Sequence, residues 1–271
     1  MRSIIYRGWF QTALAGVVLF VITDVALQYT QNPNYLPSFI MLGSFVVPVA
    51  FFAYFYRQET ILDRDVHGRI SLIMAAIVFV VGGLVGTIIA GFLENFITFK
   101  SSWAVFLSIG AIEEAAKLIF PVVIFIFFTK YRSEVDGLVF GIASGIGFAA
   151  FETMGYGLTT LMVPNATFSD LQQVLIARVL LAPLGHAAWT GLICGAIWHY
   201  QGQGKKIVFM AIGAFILAVF LHFLWDMAAS SGVLAISFTS YIVIGVVGLF
   251  FVFRHLHHAR QRNKALNVVN N

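Results

Sequence analysis

Eight apolar runs, each about the twenty residues that a helix needs to cross a roughly 30 Å hydrocarbon core, fall near 8–29, 36–56, 71–93, 103–128, 137–163, 174–200, 207–229 and 235–253 of the sequence. In lipid every backbone amide must find its partner inside the protein, and runs of this length are about twice what a barrel strand requires. The pattern therefore predicts an all-α, polytopic transmembrane bundle of about eight spans. Short loops join the runs, and no soluble domain, long linker, repeat or low-complexity tract interrupts them. Residues 1–271 thus read as one integral membrane domain. Composition agrees, since 60% hydrophobic residues and only 10% charged lie well outside the range of a soluble globular chain.

The few charges are unevenly placed. If the spans alternate, Arg2, Arg7, Arg57, Arg64, Arg69, Lys130, Arg132, Lys205, Lys206, Arg254, Arg260, Arg262 and Lys264 share one face, and only Lys100 falls in a loop on the other. By the positive-inside rule both termini are expected to be cytoplasmic. Topology and attraction to an anionic bilayer then account for the net charge of +4, with no need for a nucleic-acid partner. The first run is expected to be an uncleaved helix, because it is long and ends at Gln28–Tyr29 without a small-residue cleavage site. The lone Cys194 forms no intrachain disulfide and makes a thiolate metal site unattractive. The Asn165-Ala166-Thr167 sequon lies in a loop on the face opposite the basic one.

One span contains an energetic anomaly. Between Trp103 and Phe128 the chain places Glu113, Glu114 and Lys117. Each central charge costs about 2.5–3.5 kcal/mol to insert, whereas an apolar neighbour recovers only about 0.3–0.6 kcal/mol. These groups should therefore face the protein interior, where ionisable residues mark a pathway, a relay or a reaction centre. At 100° per residue Lys117 can reach both carboxylates from the same helix face. It would allow two neighbouring acids to coexist.

Other spans add Glu152, Arg178, His186, His222 and Asp226. At about 1.5 Å per residue from the outward end of each run, Glu113 and Glu114 lie at roughly 15 Å, Glu152 at about 16 Å, His186 at about 18 Å and His222 at about 10 Å. Four helices putting acids and imidazoles near one level predict a shared site, carried by a four-helix core over residues 103–230. His222 and Asp226, spaced i, i+4, share a face on which the carboxylate can orient the imidazole or join it in binding a cation. The glycine series Gly82-xxx-Gly86, Gly137-xxx-Gly141-xxx-Gly145 and Gly191-xxx-Gly195 predict close helix contacts. Asp24 has no counterpart and reads as structural or interfacial. The tail cluster Arg254, His255, His257, His258 and Arg260 reads as a headgroup-facing flank, as do His67 and His199.

The segments Glu113-Glu114-Ala-Ala-Lys117, Phe148-xxx-Glu152, His186-Ala-Ala-Trp189-Thr190-Gly191 and His222-Phe-Leu-Trp225-Asp226 together resemble the PrsW family of intramembrane proteases. The four occur in the family's order on four successive spans. That family is related to the CAAX prenyl protease and bacteriocin-processing group, whose pattern has His at the position of Glu152 and commonly Asn at that of Asp226. The resemblance implies a multi-pass endopeptidase, in a bacterial cytoplasmic membrane, that cuts a membrane-anchored protein near the outer half of the bilayer. In the family's namesake that protein is an anti-sigma factor.

Peptide hydrolysis needs an activated water, a stabilised oxyanion and a proton for the leaving amine. Glu113 or Glu114 would serve as base, tuned by Lys117. His186 and His222 would either bind a divalent cation with Glu152 and Asp226, zinc being the natural choice, or act directly as proton donor and oxyanion partner without a metal. Arg178 is a supporting charge. The same residue types also suit a proton-coupled transporter, although no inverted repeat of broken helices supports one. A non-catalytic scaffold would gain nothing from burying them.

Overall fold

A computed structural model describes residues 8–62 and 70–269. Among the described residues eight long helices make up the fold: α1 (Gly8–Thr30), α2 (Leu36–Leu62), α3 (Leu72–Glu94), α4 (Ser102–Phe127), α5 (Glu134–Thr160), α6 (Phe168–His199), α7 (Lys205–Ala229) and α8 (Leu234–Val269). Six of them, α1, α2, α3, α5, α6 and α7, are long and apolar enough to cross a membrane. In α4 the charges of Glu113, Glu114 and Lys117 interrupt the apolar run, and in α8 the apolar part shortens to Thr239–Arg254 before the helix continues to Val269. The protein is a multi-pass, all-helical integral membrane protein. Arg2, Arg7, Arg64, His67 and Arg69 lie outside the described residues, as do the side chains of Arg57, His255, His258, Arg260, Arg262 and Lys264.

The centre of the bundle is α5, buried without a break from Val135 to Ala150. It packs against α2, α3, α4 and, most extensively, α6. Small residues make this possible. A Cβ at Gly145 would strike the carbonyl oxygen of His186 on α6, and one at Gly147 would strike that of Phe79 on α3. Phe79 lies in a π-helical turn, Val78–Gly82, that interrupts α3 where it crosses α5. Such a turn widens the backbone locally and is a common device beside functional sites. The predicted glycine contacts are therefore present, and Gly147 extends them to a second neighbour.

Two details set the register around the site. α4 turns one stripe inward, Gly110, Glu113, Glu114, Lys117, Pro121 and Ile124, the i, i+3, i+4, i+7 spacing of a single helix face; Leu107, Ile119, Val123 and Ile126 remain on the outside. Pro121 has no N–H to give to the carbonyl four residues back, which is that of Lys117. Ser144 on α5 donates its hydroxyl to that carbonyl at 2.7 Å. The capping boxes Ser133/Asp136 and Thr167/Asp170 start α5 and α6 by satisfying first-turn amides.

Two expectations need correction. Asp24 has a counterpart: Gln172 on α6 donates to it at 2.6 Å, and Gln28 does so at 3.0 Å. Thus α1, which otherwise packs mainly on α2, is pinned to the core by an amide that satisfies a carboxylate inside the apolar run. His199 is bonded to Glu134 at 2.8 Å. It tethers the end of α6 to the start of α5 rather than serving as a headgroup flank.

Candidate active site

The eight charged and imidazole residues predicted from the sequence form one connected cluster. Its innermost member is Lys117, completely buried. Its ammonium has three hydrogens and three acceptors, Glu114 Oε1 at 2.7 Å, Glu113 Oε2 at 3.1 Å and His186 Nδ1 at 2.7 Å. Phe148 offers its ring face 4.2 Å from the nitrogen, a contact worth about 2 kcal/mol when desolvated. Every valence of the buried cation is thereby used, which is the condition for holding a charge away from water.

Glu114, also inaccessible, bridges Lys117 to α7, with His222 Nδ1 3.0 Å from its Oε1. Thr190 donates to its other oxygen at 3.5 Å. With Nδ1 turned to Glu114, His222 places Nε2 3.6 Å from Glu113 Oε2 and 3.8 Å from Asp226 Oδ2. The Trp189 ring stacks on the imidazole, centroids 4.6 Å apart, and fixes its plane. Gly110 lets α4 approach this histidine, since a Cβ there would lie 3.3 Å from that of His222.

The outer side of the cluster is more open. His186 accepts from Lys117 at Nδ1 and so carries its proton on Nε2, 3.4 Å from Glu152 Oε2. Arg178 Nη2 lies 2.7 Å from the same oxygen, and its guanidinium covers Tyr156 at 3.9 Å. Side-chain exposure rises from zero at Glu114 and Lys117 through 7% at Glu113 to 16% at Glu152, 20% at Asp226 and 23% at Arg178. Glu113 is therefore reached from outside the cluster more readily than Glu114.

The depth estimate from sequence placed His186 slightly too shallow, because α6 begins at Phe168, about 9 Å of helix above the expected start at 174. Phe148, Trp189 and Thr190 belonged to the recognised segments without an assigned role. Ser144 and Tyr156 were missed; the latter was accessible as the residue one turn beyond Glu152.

A cation could be held here. Glu113, Glu152 and His186 each present a ligand atom, and the three atoms lie within 4.8 Å of one another. Two carboxylates and an imidazole are suitable donors for zinc. Asp226 Oδ2 is moreover buried without a hydrogen-bonding partner, as an oxygen open to a further ligand would be. Ligation through His186 Nε2 requires the tautomer with hydrogen on Nδ1, which Lys117 can meet only as the neutral amine.

A multi-pass bundle that buries an ammonium, four carboxylates and two imidazoles in one partly open cluster has the acids, bases and hydrogen-bond donors that hydrolysis inside a membrane requires. Residues 70–254 match the family described as PrsW family intramembrane metalloprotease, and the chain belongs to that family of membrane proteases. Protease PrsW of Shouchella clausii (strain KSM-K16) is 26% identical to it over 205 residues, covering 71% of this chain and 84% of that protein. No solved structure matches the chain.

Proposed function

We propose that this protein is an endopeptidase that cuts a membrane-anchored protein within the half of the bilayer facing away from its basic loops. Both termini then lie in the cytoplasm of a bacterium, and an anti-sigma factor or a similar single-span regulator is the expected class of substrate. The observation that carries the reading is the graded access of the charge cluster. Glu113 stands at its boundary, backed by the dry Lys117–Glu114 pair and facing two imidazoles.

Glu113 and the Nε2 lone pair of His222 hold the attacking water between two acceptors. Glu113 takes its proton as the water oxygen adds to the scissile carbonyl. The Nε2–H of His186 donates to the oxygen that becomes negative, while Glu152, held by Arg178, keeps that imidazole in place. Protonated Glu113 then passes its proton to the amine as the C–N bond breaks. Glu114 and Lys117 position these groups and offset their charge. If a divalent cation is resident, Glu113, Glu152 and His186 would hold it, and it would supply Lewis acidity at the carbonyl and the water.

The test is cleavage of purified single-span membrane proteins in liposomes. Wild type should yield two fragments, and Glu113→Gln and His222→Ala none. Intact substrate with wild type across a broad panel would sink the reading. Loss of cleavage on exhaustive chelation, restored by zinc, selects the metal route; full activity after chelation selects the route through Glu113 alone.

A further inference from the structure

A second concavity opens between α6, α7 and α8, toward the end of the bundle away from the active site. It is a groove of about 480 Å³, well inside the roughly 300–1,000 Å³ typical of small-molecule sites. Leu192, Phe209, Met210, Leu217 and Phe251 make it apolar along its length; His199, Tyr200 and Arg254 close one end.

Three observations say what such a groove holds. Its wall follows α7 from Phe209 to Leu217, about 12 Å of helix, a run of hydrocarbon with no polar group in it. Midway, Gly213 leaves the space open, for a Cβ there would meet nothing within 4 Å. The polar end is basic: Arg254 lines it, and Lys206 Nζ lies 4.9 Å above the Tyr200 ring. His199 there is engaged with Glu134, and among the described residues no carboxylate lines the groove. A soluble anion would leave the apolar wall uncovered. A single hydrocarbon chain ending in a negative headgroup matches both the wall and the charge.

We propose that this groove binds an acyl chain of an anionic phospholipid, its phosphate held by Arg254 and Lys206. These residues belong to the basic face of the protein, where the positive-inside rule places the leaflet rich in anionic lipid. The bound chain would lie between α8 and α7, the helix that delivers His222 and Asp226 to the active site. The assignment does not depend on the proteolytic reading.

Native mass spectrometry of the full-length protein, purified in mild detergent and titrated with phosphatidylglycerol or phosphatidylcholine of identical chains, tests it. Wild type should retain phosphatidylglycerol in clear preference. Arg254→Gln and Lys206→Gln should each lower that retention about fivefold, the equivalent of ~1 kcal/mol per cation at a membrane surface. Gly213→Leu, which fills the open space with a better helix former, should abolish retention of both lipids while leaving circular dichroism and monodispersity unchanged. If that variant misfolds, Phe251→Trp, growing into the groove from α8, gives the same readout. Equal retention of the two lipids by wild type overturns the proposal. So does unchanged phosphatidylglycerol binding in the Arg254→Gln/Lys206→Gln double variant or in the folded groove-filling variant, as does crosslinking through Gly213→Cys that finds a second copy of the chain in the groove.

Discussion

Ser144 and Pro121 should be energetically coupled although they sit on different helices. Pro121 leaves the Lys117 carbonyl without its helical donor, and the Ser144 hydroxyl supplies the replacement at 2.7 Å in a completely buried position. Removing it by Ser144→Ala strands a buried carbonyl, at a cost of about 1–3 kcal/mol on general grounds; interhelical hydrogen bonds measured in membranes, about 0.6 kcal/mol on average and at most about 1.7, place the effect near 1 kcal/mol. With Pro121→Ala the helix regains an N–H for that carbonyl, and Ser144→Ala should then cost little. A double-mutant cycle on reversible unfolding in bicelles should therefore give a coupling energy of about 1 kcal/mol between the two positions. Additive effects, within about 0.3 kcal/mol, would refute the role assigned to Ser144.

Lys117→Met should destabilise the fold by about 3–5 kcal/mol, because it leaves buried carboxylates uncompensated; combining it with Glu114→Gln should recover part of that loss in the same unfolding assay. Glu113→Gln and Glu114→Gln should differ in kind. The first is expected to lower the cleavage rate by about 10²–10⁴ with little change in stability, whereas the second should also reduce stability, since Glu114 anchors both Lys117 and His222. Gly145→Leu should cost at least about 1–3 kcal/mol, as its side chain displaces the His186 backbone, and should impair cleavage without touching a reacting group.

Much of the site was legible from the sequence because burying charge in a membrane is so costly that few patterns permit it. Glu113, Glu114 and Lys117 could occur in one span only if they faced inward, and once they did, Glu152, His186 and His222 were the groups available to meet them. What the sequence could not show depended on the relative placement of helices. The Ser144 hydroxyl has meaning only where α5 crosses the carbonyl freed by Pro121. Asp24 looked solitary because its partner, Gln172, is an amide nearly 150 positions away, and amides carry no charge signal. His199 sits at a span end, where a basic flank and a tether to Glu134 are written alike. The two weakest spans, α4 and α8, escape a simple hydropathy reading for opposite reasons: one carries the site, and the other runs on into a basic tail.

The central claim is that Glu113 activates water against a peptide bond held inside the membrane. Mass spectrometry of a single-span substrate incubated in liposomes with wild type and with Glu113→Gln tests it most directly, because it reports both whether a bond is cut and at what depth. Two complementary fragments from wild type, joined at a residue in the half of the span facing away from the basic loops, with none from Glu113→Gln, are predicted. Identical fragments from both proteins, or no cleavage by wild type together with solute counterflow that Glu113→Gln abolishes, would contradict it.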